Sequence, residues 1–310
     1  QSWTGCGASG SSANISFVKN KILQLPFNGQ ENNRQGGFQI YDGSQGKVIW
    51  VSGLQEGQTL GEVYGYRQLS IFQNAAEVAS IAGNRYDAIA RITGPNLTST
   101  TAKITPGDVN WMDVDKNDTI DTRDQVYLGN INPKYTGGFS ITTSYKGFSF
   151  FTRFDFAVGH ILYNDLVART MGNYQGTFNF MELTKQGFSG ESYRNDIPKV
   201  YWADQVGAPN GKQNLTRANN AGSVLQGNNS IFYEKGDYLA CREITLSYDL
   251  SKKLLSKTKV LSNARVYLNA NNLFYITKFS GNSPEPKGNG IFAGNYPTPK
   301  SYVVGVQVTF

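Results

Sequence analysis

The sequence predicts an all-β fold in which antiparallel strands form one piece of a large transmembrane β-barrel with long extracellular loops. Three observations lead there. The closing stretch, Ser301 to Phe310, sets Tyr302, Val304, Val306, Val308 and Phe310 on one face of a period-two pattern, against Val303, Gly305, Gln307 and Thr309. Phe148 to Val158 repeats it, with Phe148, Phe150, Phe154 and Phe156 on one face and Arg153 and Asp155 on the other. Short and long connections alternate along the chain, which sends the long ones to one end of the strands. A water-soluble sandwich would also cover an apolar face, but it has no reason to sort its loops by length. A barrel does: its apolar face meets lipid, its polar face lines a wet lumen, and long loops collect outside.

Composition permits this and excludes other classes. Of 310 residues, 39% are hydrophobic, 13% are aromatic and 34 are glycine. No run approaches the roughly 20 apolar residues of a spanning helix, so any membrane crossing falls to strands. The net charge is +6, but Lys and Arg are scattered singly, which argues against a nucleic-acid partner. Cys6 and Cys241 lack metal-ligand spacing and offer no disulfide framework. The only histidine, His160, reads as an ordinary polar residue at a strand end. Its solitude removes most His-dependent hydrolase chemistry. No second acidic cluster is present to perturb a catalytic carboxylate, and the chain reads as a non-enzyme. Gln1 opens no apolar signal region, so the numbering reads as beginning at a mature end or inside a longer protein.

Taken in order, Gln1 to Ser12 reads as a Gly-rich loop and Ala13 to Leu25 as a strand ending at Pro26. From Phe27 to about Asn130 the pattern breaks into short pieces such as Lys47 to Val51 and Glu62 to Tyr66, too long a region for an idle connection. Gly137 to Tyr145 and Phe148 to Val158 form a hairpin around Lys146-Gly147. His160 to Lys235 is a second long loop, holding Tyr201 and Trp202, which could stack on a ligand or simply pack. Tyr238 to Tyr248 and Ala264 to Phe274 are strands joined by a short basic connection with a helical turn at Lys252 to Leu255. Thr277 to Lys300 loops out before the last strand. On the strand Phe148 to Val158, Arg153 and Asp155 read as an ion pair on the wet wall. Six strands, or ten at most if the short pieces of the first long region pair up, cannot close a pore carrying loops of this length, since plugged transporters use about 22. The chain is therefore expected to be part of a larger barrel.

Six stretches stand out together: Glu56 to Phe72, Gly107 to Gly138, Tyr145-Lys-Gly-Phe148, Asp237 to Tyr248, Asn271-Asn-Leu-Phe274 and the closing strand. In order and spacing they resemble the SusC/RagA group of TonB-dependent outer-membrane transporters of Bacteroidetes. The resemblance covers nearly the whole chain and only the C-terminal part of the family's barrel. It implies that residues 1–310 are that C-terminal portion, without the plug domain and the TonB-contacting segment. It further implies an outer-membrane location and energy-coupled import of oligomeric nutrients, oligopeptides or oligosaccharides, nearest the RagA branch. The implied partners are the remaining N-terminal barrel and plug, TonB, outer-membrane lipid and a SusD/RagB-like surface lipoprotein acting as a lid. A surface structural or adhesive barrel is the alternative.

One motif carries chemistry of its own. Asp113, Asp115, Asn117, Thr119, Asp121 and Asp124 occupy positions 1, 3, 5, 7, 9 and 12 of a twelve-residue loop, Thr119 through its backbone carbonyl. That spacing wraps six oxygens round one point, as a hard cation such as Ca²⁺ requires. Asp118 stands at position 6 in place of glycine, and Asp124 is shorter than the usual glutamate. The flanks, Trp111-Met112 and Val126-Tyr127, read as extended chain, so a structural Ca²⁺ would sit in an outer loop without flanking helices. The same residues would also make a solvated acidic turn.

Overall fold

A computed structural model of the chain describes residues 7–82, 86–87, 106–107, 109–173, 181–188, 196–198, 229–257, 260–285 and 288–310. Six long strands form one antiparallel sheet in chain order: β1 (Ala8–Phe17), β2 (Tyr135–Tyr145), β3 (Phe148–Val158), β4 (Tyr238–Asp249), β5 (Asn263–Thr277) and β6 (Ser301–Thr309). Strands next to one another in this order are hydrogen-bonded neighbours, which makes the sheet an up-and-down meander. Among the described residues, β1 pairs only with β2 and β6 only with β5, so both edges of the sheet are open.

Register decides which side chains share a face. Phe156 stands opposite Gly137 and Leu239, and Leu239 opposite Ile276. The next row holds Phe139, Phe154, Cys241 and Phe274, with the Phe139 and Phe154 rings stacked at 4.9 Å. Nearer the turns, Phe150, Leu246, Leu268 and Val304 form another apolar row. Aromatic side chains bound this face at both ends, Phe17 and Tyr135 at the loop end, Tyr145, Phe148 and Tyr248 at the turn end. About ten residues of β2 separate the two aromatic rows, roughly 33 Å of strand at ~3.3 Å per residue. With a strand tilt of about 40° that is about 25 Å of height, the thickness of a lipid-facing band. Val304 is 75% exposed and Phe148 53%, so no second protein layer of described residues covers them. The other face is polar: one row runs Ser140, Arg153, Glu243, Asn271 and Ser301.

The connections follow the expected sorting. Lys146 and Gly147 both adopt positive φ, 46° and 88°, as a tight hairpin with the right-handed strand twist requires. β4 and β5 join through the helical turn Lys252–Leu255. The long connections at the other end carry small sheets of their own. Phe38–Asp42 pairs with Lys47–Val51, Glu62–Tyr66 with Gln125–Asn130, and Gln68–Ile71 with Val109–Trp111. Tyr66, Ile71, Val109, Trp111 and Ile120 form a buried core there. Ile161–Asn164 lies between Tyr233–Lys235 and Ile291–Phe292, over Leu162, Phe279 and Phe292. No helix of the described residues is long and apolar enough to cross a membrane.

The first strand corrects the sequence reading. It runs over Ala8–Phe17, so Ala8 to Ser12 is strand and not loop, while Val18 to Leu25 is not strand. Ala8 to Ser12 is built of Ala, Ser and Gly and shows no apolar alternation; β2 makes it a strand by offering a ten-residue ladder. Ile22, which looked like strand, bonds instead through its backbone to Gln58 and Gly57 in the loop.

Candidate functional site

The polar face carries two hydrogen-bonded networks. In the first, the register slips between Arg153 and Phe154 of β3, where β4 carries one extra residue at Arg242. A bulge re-aims the side chain it carries. Arg242 grips both carboxylate oxygens of Asp155, donates to Glu285 Oε1 at 2.7 Å and reaches the Tyr275 hydroxyl at 3.2 Å. Tyr275 donates to the same Glu285 oxygen at 2.7 Å, and Tyr238 to Asp155 at 3.3 Å. The planar guanidinium suits this role because it presents a fork of donors to two acids at once. In the second network Arg153 lies 3.8 Å from Glu243, which also accepts from Asn269 and Thr245. The expected Arg153–Asp155 pair is therefore not made. Each of the two finds its partner on the neighbouring β4 instead, Arg153 in Glu243 and Asp155 in Arg242. Arg153, Asp155 and Arg242 line a cavity of about 690 Å³ with Asn14, Gly138 and Ser140.

Glu285 belongs to the loop after β5, and a second tie holds that loop. His160, 1% exposed, meets the Pro284 carbonyl through Nε2 at 3.1 Å. With Nε2–H donating, Nδ1 is the lone-pair nitrogen, and it is buried without a partner among the described residues. Gly236 leaves the room, since a β carbon there would strike the imidazole. Burial holds the His160 pKa below its ordinary value, against the opposing pull of Pro284 and Asp237.

The acidic loop brings together part of its expected ligand set. Oxygens of Asp113, Asp115 and Asp124 lie within 4.8 Å of one another. Asn117 touches Asp115 through its side-chain amide at 2.9 Å. Asp118 takes φ 62°, the left-handed position that a loop of this kind demands. Thr119 lies in the two-residue strand Thr119–Ile120. The Asp121 carboxylate caps the turn Thr122–Asp124 by accepting from the Arg123 amide at 2.7 Å. Asp124 is fully buried, accepting from the Val114 and Asp121 amides, and burial pushes its pKa up to about 6 with help from Asp115 and Asp113. The donor set is all oxygen, as a hard cation prefers. Tyr201, Trp202 and Cys6 lie outside the described residues.

Comparison with known proteins places this geometry. No protein-family model matches the chain. TonB-dependent receptor P39 of Formosa agariphila is 24% identical over 96% of the chain, and SusC of Bacteroides thetaiotaomicron is 33% identical over 26% of it. The chain is related to the C-terminal part of the SusC/RagA group of TonB-dependent receptors. A solved structure of the RagAB peptide transporter superposes over 98% of the chain with a TM-score of 0.61 and 20% identity. That superposition shows that the six-stranded antiparallel sheet has the fold of part of a large β-barrel wall. The chain spans 28% of the length of the P39 receptor, 8% of SusC and 27% of the superposed transporter chain. Sequence reasoning missed Arg242, Tyr275 and Glu285 as a unit; the signal that could have found the bulge is the change of phase in β4, from Leu239 and Cys241 to Ile244 and Leu246 on the apolar face.

Proposed function

We propose that this chain supplies wall and outer loops to an energy-coupled outer-membrane importer of oligomeric nutrients, with oligopeptides ahead of oligosaccharides. The observation that carries the reading is the two-faced sheet of a SusC/RagA relative, lipid-ready outside and densely hydrogen-bonded inside. A wall lined by Arg153, Asp155, Arg242 and Asn269 offers both charges and amide groups, which suits the alternating donors and acceptors of a peptide backbone. The proposed partners are the rest of the barrel and plug, TonB, and a SusD/RagB-like lipoprotein over the outer loops.

The acidic loop is part of the same proposal: Asp113, Asp115 and Asp124, with Asn117 beside them, would hold a Ca²⁺ that stiffens an outer loop. The convergence of three carboxylates on one point supports it.

Uptake tests the reading. Cells carrying the intact gene should accumulate a labelled oligopeptide pool, lose that uptake when the gene is deleted, and lose it equally when TonB is removed. Uptake of oligosaccharides alone would move the substrate class. Normal nutrient uptake after deletion, with altered surface adhesion, would replace the importer by a structural barrel.

A further inference from the structure

The outer end of the lipid-facing side is not a plain hydrocarbon surface. Phe156, Val158, Leu239 and Ile276 line a cavity of about 580 Å³, and Lys235 and Lys278 complete its rim. The register puts Phe156, Leu239 and Ile276 in one row on the face that carries Val304 and Phe148. They lie at the loop end, away from the Lys146-Gly147 turn. Ile276 is 62% exposed, and both lysines are exposed.

One acid, Asp237, shares the rim, but its carboxylate accepts the Gly159 amide at 2.7 Å and is turned to the backbone. Neither rim lysine forms an ion pair with a described carboxylate. The cavity is therefore apolar below and cationic above, at the depth where headgroups lie. Lysine stems can lie along apolar surface while their ammonium groups stay in the wet layer. Cationic side chains placed there attract anionic headgroups.

We propose that this cavity is a binding site for one outer-leaflet lipid with a phosphorylated headgroup, its acyl chain against Phe156, Leu239 and Ile276 and its phosphate between Lys235 and Lys278. A neutral lipid would satisfy the lower half and leave two ammonium groups uncompensated. A soluble phosphate compound would satisfy only the upper half. The apolar floor and the charged rim together select an amphiphile, whatever nutrient passes through the lumen.

The test uses the protein purified from its membrane in a mild non-ionic detergent, incubated with a phosphorylated lipid A or with its dephosphorylated counterpart, and read by native mass spectrometry. The wild-type protein should retain the phosphorylated form about tenfold more than the other. Lys235→Gln/Lys278→Gln should erase that preference, and Lys235→Arg/Lys278→Arg should keep it. Lys253→Gln/Lys257→Gln, at the opposite end of the barrel, should leave it unchanged. Equal retention of the two lipids by the wild-type protein, or a preference that survives the double Gln change, overturns the proposal and leaves ordinary annular contact. Inorganic phosphate competing as well as the lipid would also overturn it.

Discussion

Arg242 of β4 holds Glu285 of the outer loop at 2.7 Å, so a barrel-wall side chain fixes the position of a loop outside the sheet. The same guanidinium is bound to Asp155 and the two carboxylates share it. Removing it leaves two acids facing each other in a half-buried setting. Arg242→Ala should cost about 2 kcal/mol of local stability, and Glu285→Gln less, since a neutral amide can still meet the guanidinium. Hydrogen exchange at residues 278–285 should speed up about tenfold or more in the alanine variant. Unchanged protection there would show that Arg242 does not anchor the loop.

His160 makes the same loop sensitive to acid. Its folded pKa lies below the ordinary value of 6.5, so the neutral ring is the form that folding favours. The stability this adds is complete above about pH 6.5 and is lost as pH falls toward the lower folded value. Groups facing the ring are the Pro284 carbonyl and the Asp237 carboxylate, whose charge only moderates the effect. Protease cleavage within residues 278–300 should rise as pH drops from 7 to 5. His160→Gln should flatten that profile while weakening the loop at all pH values.

The proposed Ca²⁺ site in the acidic loop can be told from the turn cap beside it. Adding Ca²⁺ at about 0.1–1 mM should slow hydrogen exchange across residues 113–124, the range expected of extracellular sites. Asp124→Ala should abolish the response. Asp121→Ala should loosen the turn by about 1 kcal/mol through its lost cap, yet keep the response to Ca²⁺. Equal loss in both variants would mean that the six-oxygen set of the sequence pattern, and not the three-carboxylate cluster, describes the site.

The two faces of β3 give the sharpest contrast. Phe154, midway along the lipid-facing stripe and stacked on Phe139, cannot accept a charge: Phe154→Lys should cost about 2–4 kcal/mol. Phe151, on the opposite face, should accept lysine with far smaller effect. The fraction of folded, heat-modifiable protein in outer-membrane preparations reads both. If Phe151→Lys is the more damaging, the assignment of inside and outside is reversed.

How much could be read beforehand varied with what each feature depends on. β3 and β6 announced themselves, because alternating Phe or Val over nine or more residues is a local pattern that lipid and water enforce. β1 was displaced by about five residues because Ala8 to Ser12 carries no side chain large enough to mark a face. Its identity as strand is a property of its neighbour. The partners of Arg153 and Asp155 were out of reach for a related reason: they depend on register across β3 and β4, and the bulge at Arg242 sets that register. In the acidic loop the spacing was legible, but the short 3₁₀ turn that Asp121 caps is not encoded by that spacing.

The open edges along β1 and β6 have a consequence for biogenesis. Each exposes a row of amides and carbonyls sideways, and hydrocarbon offers them no alternative partner. This arc can therefore enter a bilayer only when zipped into a closed ring. Released alone into water or lipid, it would present two sticky seams and aggregate along them.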